Sequence, residues 1–409
     1  MTQYARSPWI DRFPKSRVQA HPRYRGATKT DVVVVGGGLT GCATAYAFAA
    51  AGVKVILLEA AQIGRGTTAH QSGWVSEEPG VRFADLEKAI GTRGAGRAFQ
   101  IWRRAALDFA ALLRRLDVKC DLQPRPALTV ARTLEQTALL KREQKMRRAA
   151  RLDAPLLTGR AVAGDIALDA GAGLRAKDCA TLDPYRACIG VAAAAAARGV
   201  QLFERSPVLK VTFGRKDAEV FTANGRIRVA RVVVATGFPT ALFKSLARHF
   251  WFRTSYMALT APVPAAMRKA LGRRDAVLRD LADPPHTVRW VDDQRLLVAG
   301  ADAAALPLRQ RDKARDKAIV QRTGQLMYEL STLYPDISGL QPDFGWAADY
   351  ARTAEGLPYL GPHRNFPWHL FAFGDSSHSV TGAYLTSRVL LRHYFEEMDP
   401  ADELFAFTR

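Results

Sequence analysis

The 409-residue sequence predicts a mixed α/β (α+β) fold. One domain is built on a parallel sheet assembled from separated stretches of chain, and a second, mainly antiparallel sheet domain is interleaved with it. Three observations lead there. Residues 31–60 read as strand, glycine-rich turn, alanine-rich helix and strand, the order of a βαβ unit. The middle of the chain breaks into short strands separated by turn residues. The last part returns to strand, turn and helix.

In chain order, residues 1–30 hold seven basic residues against the single acid Asp11, punctuated by Pro8, Pro14 and Pro22. They read as an extended arm, lying on the domain or partly mobile. Strand Asp31–Val35 follows, then a helix to about Ala51 and a strand Val53–Leu58. Residues 85–117 and 133–152 read as helices, with Leu112, Leu113 and Leu116 on an apolar face and arginines outside; ALTVA at 127–131 reads as a strand between them. A helix at 184–198 ends at Gly199, a good C′ residue. Short strands 208–213, 218–222 and 226–229 surround an Asn224-Gly225 hairpin turn, and 231–235 reads as a buried strand. Residues 251–300 read as sheet with a turn at Asp292-Asp293, and 311–332 as a helix. Strands 343–352 and 369–373, a GDSSHS turn and a helix 383–395 close the chain.

The totals exclude several classes. Hydrophobic residues at 48% and charged residues at 24% are globular usage, not disordered, collagenous or low-complexity. Lys plus Arg is 59 and Asp plus Glu 39, a net charge of +20. That raises nucleic acid, an anionic membrane or an acidic substrate as partners. The excess gathers in the arm and in the helices at 93–115 and 141–151, so it reads as a solvated exterior, and nucleic acid is disfavoured. Cys42, Cys120, Cys179 and Cys188 show no metal-ligand spacing; reduced thiols, no metal and a cytoplasmic location are expected. The N-terminus lacks the apolar run of a secretory signal. The uncharged stretch 32–53 is long enough to imitate a membrane helix, but GGGLTG interrupts it as a turn would.

The chemistry starts at DVVVVGGGLTGCATAYAFAAAGVKVILLEA. Gly36, Gly38 and Gly41 form GxGxxG directly after an apolar strand, with Leu39 and Thr40 opening the helix. The first glycine permits a tight turn, the second a close approach to pyrophosphate, and the third close helix–strand packing, with the helix N-terminus facing phosphate charge. Glu59, followed by Ala60, closes the second strand where a carboxylate binds ribose hydroxyls and disfavours a 2′-phosphate. The small polar run IGRGTTAHQSGWV, with Gly66, Thr67, Thr68 and His70, favours FAD over NAD. Two later strand-to-turn points supply further contacts: RVVVATG, ending at Thr236 and Gly237, and LFAFGDSSHS, with Gly374 and Asp375. No Ser/His/Asp set, paired carboxylates or P-loop is present, and hydride transfer to a flavin needs none.

These segments, with LDPYRACIGVAAAAAARGVQLFERSPV and WAADYARTAEGLPYLGP, resemble the FAD-dependent D-amino-acid oxidase family, which includes glycine oxidase, sarcosine oxidase and γ-glutamylputrescine oxidase-like enzymes. The resemblance runs from about residue 31 to the end. It implies a Rossmann-like FAD-binding domain interleaved with a β-sheet substrate domain. The first takes 31–85, 155–240 and 343–409; the second takes 86–154 and 241–342. It implies oxidation of a C–N bond of a small amine or amino acid by hydride transfer to flavin N5. The imine then hydrolyses, and electrons pass to O2 or another acceptor. By resemblance, the GxGxxG glycines and Glu59 hold ADP, Thr67 and Thr68 lie beside pyrophosphate and flavin, and the Val208 backbone contacts adenine. Gly374, Asp375, Ser376 and His378 lie near the flavin pyrimidine edge.

The sequence departs from the family in three places. Where amino-acid oxidases of the family carry an arginine that clamps the substrate carboxylate, this chain has Tyr350. Arg352, two residues on and so on the same strand face, either substitutes, or the substrate is an amine without an α-carboxylate. Ala348 replaces the cysteine that links flavin in sarcosine oxidase-like members. His70 falls on the histidine that bonds covalently to FAD in dimethylglycine and sarcosine dehydrogenases, although a non-covalent polar-loop role is favoured. Tyr256, His286 and Arg289 point from the substrate sheet over the flavin, or serve as core and surface residues. A transfer-RNA-modifying oxidase of the same fold and a non-catalytic flavoprotein are the alternative functions.

Overall fold

The computed structural model describes residues 1–306, 311–374 and 380–409. Among these, two large sheets organise the chain. The first runs in the order 201–203, 55–58, 26–35, 225–237, 218–222 and 210–213, and 359–363 and 366–373 join it beside 225–237. Its centre is parallel: Gly26–Val35 lies between Val55–Leu58 and the long strand Gly225–Gly237. A strand covered on both faces has no polar side, which is why VVVV can occupy it. Val32 and Val34 pack into one core and Val33 into another. On one face, helix Leu39–Ala50 packs against helices Pro184–Ala197 and Thr381–Phe395. Alanine at the contacts lets the axes approach. Asp183 caps Pro184–Ala197 by accepting the Arg186 N–H at 3.0 Å, and Gly199 ends it at φ +89°.

The second sheet runs in the order 3–4, 342–352, 251–260, 295–304, 287–291, 277–279, 127–131, 172–176 and 156–158. Strand alternation sorts its faces. Tyr256, Ala258, Val298 and Ala347 pack under helix Arg311–Leu333 through Leu326 and Leu330. Met257, Leu259, Trp346 and Ala348 face the other way, against Trp9, Ala69 and Tyr185. This second face meets the parallel-sheet unit.

Several expectations change. Of the two readings of the arm, the one lying on the domain fits: Gln3–Tyr4 adds a strand beside Phe344–Gly345, and Trp9 and Tyr24 are buried. Residues from Gly26 belong to the central strand. The strands read at 226–229 and 231–235 are one. Its first half pairs with Ala218–Thr222 and its second half with Phe366–Phe373. Because Thr222 pairs with Gly225, the hairpin turn is Ala223–Asn224, one residue earlier than read. Strand Tyr359–His363 was not foreseen. The helix Phe83–Arg115 breaks at Gly91, where φ is +75°. Sheet membership cuts across the expected domain boundaries: 156–158, 172–176 and 343–352 lie in the antiparallel-rich sheet, although sequence placed them with the parallel unit. Sheet membership depends on long-range pairing, which a local reading does not contain.

Candidate functional site

The glycine loop sits at the carboxyl ends of the parallel strands, where open α/β sheets bind ligands. Gly36 has φ +109°, and a Cβ there would lie 2.5 Å from the Ala235 carbonyl oxygen. Gly41 is tighter: its Cβ would lie 1.9 Å from the Gly36 carbonyl oxygen. Only hydrogen fits at either position. Gly38 caps helix Leu39–Ala50 without a side-chain hydrogen bond. The loop therefore presents bare backbone at the positive end of a helix dipole.

Neighbouring segments hold this loop. Glu59 accepts the Gly37 N–H at 2.6 Å and the Ala61 N–H at 2.7 Å, while Ala60 between them is exposed. The Ser206 N–H bonds to the Glu59 carbonyl at 2.9 Å, so the segment leading to half-buried Val208 runs beside this acid. The Leu39 N–H donates to Thr68 Oγ1 at 2.9 Å, and the Thr40 carbonyl accepts the Thr44 hydroxyl. Thr68 lies in the short turn Thr67–His70 that Gly66 precedes. Thr236 and Gly237 end the strand that crowds Gly36, and the Gly374 N–H bonds to the Gly237 carbonyl at 3.1 Å. Bare amides, an acid at a strand end and small polar residues around them fit the ADP and pyrophosphate of a dinucleotide.

The same turn ties this cradle to the second sheet. Thr67 Oγ1 donates to the Asp349 carbonyl at 3.3 Å, and Trp346 Nε1 donates to the His70 carbonyl at 3.1 Å. The His70 ring is half-buried, with Nδ1 2.9 Å from the Gly66 carbonyl oxygen. Burial lowers its pKa below the ordinary imidazole value, so the neutral ring is favoured.

A cavity of about 580 Å³ opens beside the cradle, with Tyr350, Arg352 and Gly374 among its walls. The Tyr350 hydroxyl donates to Asp302. Arg352 is exposed and pairs in register with Trp251 at the sheet edge. Sequence reasoning missed the rest of the wall. Arg147 is buried with Glu78 and Glu143, and Glu143 also accepts the Phe83 and Ala84 N–H groups. Burial works against the Arg147 charge, but the two carboxylates prevail and raise its pKa. Arg253 and Arg279 come from strands 251–260 and 277–279 of the second sheet, which 295–304 and 287–291 separate. In sequence they sit in ordinary strand alternation, so no local signal marks them.

Three expected positions fall elsewhere. Tyr256 is not over the cavity. Its strand parity turns it under helix Arg311–Leu333, with the Arg322 guanidinium 5.9 Å from its ring centre, and burial raises its pKa. His286 bridges Asp280 at 2.7 Å and Glu329 at 2.8 Å. Burial opposes its charge, yet the Asp280 hydrogen bond and the two carboxylates raise its pKa. Arg289 is a buried bolt between sheets, donating to the Ser72 and Leu182 carbonyls at 2.6 and 3.0 Å. Burial lowers its pKa to about 9. The expected positions Asp375, Ser376 and His378 lie outside the described residues.

All four cysteines are buried and unbridged. Among the described residues, no helix is long and apolar enough to cross a membrane.

Comparison with known proteins agrees with this geometry. γ-Glutamylputrescine oxidoreductase of Escherichia coli (strain K12) is 26% identical over 376 residues, covering 90% of this chain and 85% of that protein. Glycine oxidase of Bacillus licheniformis is 23% identical over 381 residues, covering 88% of this chain and 91% of the other. The crystal structure of glycine oxidase from Geobacillus kaustophilus superposes with a TM-score of 0.76 at 18% identity, covering 93% of this chain and 99% of that one, and so shares the fold. The family described as DAO, FAD dependent oxidoreductase, matches residues 31–392, nearly the whole stretch from the central strand to the last helix. The chain belongs to this family, and is an FAD-dependent oxidoreductase.

Proposed function

We propose that this enzyme oxidises a C–N bond of a small amine or amino acid. The observation that carries the reading is the junction of cradle and cavity. Gly374 belongs to both, and the turn Thr67–His70 is tied through Asp349 to the strand whose Tyr350 and Arg352 line the cavity, so a flavin ring extending from the cradle would form one wall of it. FAD, when bound, supplies at N5 an acceptor for the hydride leaving the carbon next to nitrogen. The imine left on the substrate hydrolyses in water, and the electrons go on to O2 or another acceptor.

The chain's own residues bind and orient. The amides at Gly38, Thr40 and Gly41 hold pyrophosphate, Gly36 and Leu39 shape the loop through their bonds to the Leu58 carbonyl and Thr68 Oγ1, and Glu59 with Ala60 faces the ribose. Gly66, Thr67 and Thr68 fix the loop against the flavin; Val208 offers backbone to adenine; Thr236, Gly237 and Gly374 close the cradle. Tyr350 keeps its hydroxyl proton on Asp302 at the cavity wall. The parallel-sheet unit is thus the FAD domain and the second sheet the substrate domain. The attachment is non-covalent: the Nδ1 bond to Gly66 and the depressed pKa make His70 a neutral loop-fixing ring. The relatives named above for a polyamine conjugate and for glycine support an amine or amino-acid donor.

The test is anaerobic bleaching of the flavin by N-methyl amino acids, D- and L-amino acids and polyamines. One class should bleach it stoichiometrically. If none does while dithionite does, the C–N reading fails. Acid precipitation should release the yellow colour; colour retained in the pellet refutes non-covalent binding.

A further inference from the structure

No step of the proposed reaction uses the net charge of +20, and that charge is unevenly spread. Residues 220–274 hold ten Lys and Arg and no Asp or Glu. This run contains the helical turns Ala241–His249 and the strand Trp251–Thr260. Together they expose three large apolar side chains: Leu242 at 36%, Trp251 at 59% and Phe252 at 38%. Phe243 and Leu246 are buried and fix the turns to the protein, while Lys244 and Arg248 stand exposed beside Leu242 in sequence. Phe238, just past the end of the long parallel-sheet strand, meets the Phe252 ring edge-on with centres 6.1 Å apart. Single exposed apolar residues are ordinary, but this group is bulky, close in sequence and mixed with cations.

Arg248 reaches only its neighbour His249, at 3.5 Å, and neither Arg248 nor Lys244 pairs with an acid among the described residues. The adjoining cavity does carry acids, most of them taken. Glu78 pairs with Arg147, Asp280 with His286, and Asp302 accepts the Tyr350 hydroxyl; Asp283 is exposed. Glu355 lies 3.7 Å from Arg409. Register places the patch relative to the cavity. Trp251 pairs with Arg352 and precedes Arg253 by two residues, so it shares their strand face, and both of those arginines line the cavity. Trp251 therefore continues the cavity wall outward, past its mouth.

We propose that Leu242, Trp251 and Phe252, with Lys244 and Arg248 beside them, dock this enzyme on an anionic membrane surface. Indole and phenyl rings enter the boundary between headgroups and acyl chains, and unpaired Lys and Arg meet lipid phosphates there. Single-stranded RNA also takes aromatic and basic residues together, by stacking. Leu242 has no ring face for a base, and the Phe252 ring already meets Phe238, so lipid fits the group better. Docked this way, the cavity opens at the level of the headgroups. Vesicle binding is read without turnover, so the proposal stands or falls apart from the C–N reading.

The experiment sediments the FAD-loaded full chain with vesicles of phosphatidylcholine alone, or of phosphatidylcholine mixed with phosphatidylglycerol. Three double variants are compared: Trp251→Ser with Phe252→Ser, Lys244→Glu with Arg248→Glu, and Lys141→Glu with Lys145→Glu. The last changes the same charge on the exposed face of helix Leu134–Ala149. FAD content and circular dichroism are checked for each, and the charge variant decides if the apolar one does not fold. Wild type should sediment with the mixed vesicles, less so as salt rises, and not with phosphatidylcholine alone. The first two variants should each lower partitioning roughly tenfold, and the third should not. The proposal is overturned if wild type stays in solution with mixed vesicles, or if the Lys141 and Lys145 variant loses as much as the others. Two further outcomes overturn it: a dimer in light scattering that Trp251→Ser splits, which makes a second copy the occupant, or oligouridylate displacing the protein from the vesicles through the same residues.

Discussion

Gly41→Ala is the sharpest probe of the cradle. The added methyl would sit 1.9 Å from the Gly36 carbonyl oxygen and 3.0 Å from its carbon, against ordinary contact beginning near 3.4 Å. Both partners are backbone, so strand end and helix must part by about 1.5 Å. Overpacking of this kind costs about 1–3 kcal/mol. Alanine returns about 1 kcal/mol in helix propensity, so the net loss of stability is at most about 2 kcal/mol. FAD affinity should suffer more, because the displaced amides are the ones proposed to face pyrophosphate. The assay compares the apoprotein's thermal unfolding with its Kd for FAD, read by flavin fluorescence quenching. A drop of a few degrees with at least tenfold weaker FAD binding is expected. Gly164→Ala is the control: it lies in helix Gly159–Ile166 with nothing within 4 Å of its Cβ, so it should stabilise by up to about 1 kcal/mol and leave FAD binding alone. A Gly41→Ala protein with wild-type FAD affinity would refute the placement of the cofactor on this loop.

Two further outcomes follow from buried charge. Arg147→Met strands Glu78 and Glu143, whose side chains are 14% and 4% exposed, and should cost about 3–5 kcal/mol in chemical denaturation; a loss under 1 kcal/mol would show that the carboxylates find other partners. Burial raises the Glu77 pKa to about 7 from 4.5, so the folded state binds its proton more tightly than the unfolded chain. Relative to an uncharged side chain, Glu77 therefore costs stability as pH rises from 4.5 to 7, by about 3 kcal/mol at most. Glu77→Gln keeps an acceptor for the Asp178 N–H. Its unfolding midpoint should match wild type near pH 5 and exceed it above pH 7; a difference independent of pH would contradict the shift.

The legible parts of this protein were local. A run of four valines, three glycines at fixed spacing and an acid at the next strand end each act through their immediate neighbours, so Gly36, Gly41 and Glu59 stand where the sequence placed them. The helix end at Gly199 was similarly readable, because capping is a contact between residues a few positions apart. Strand parity was readable too, but not which face it served. Tyr256 and Trp346 lie on paired strands of one sheet, and only the helix packed on one side and the parallel unit on the other decide that the first is core and the second touches the cofactor turn. The cavity was beyond local reading for the same reason. Arg279 looks like any strand arginine until Tyr350, Asp302 and the Arg147 cluster arrive from distant parts of the chain to form the cavity wall with it. The sequence by itself determined the glycine loop, because its geometry is backbone geometry at adjacent residues; tertiary structure decided the cavity, because its wall exists only between elements brought together from distant parts of the chain.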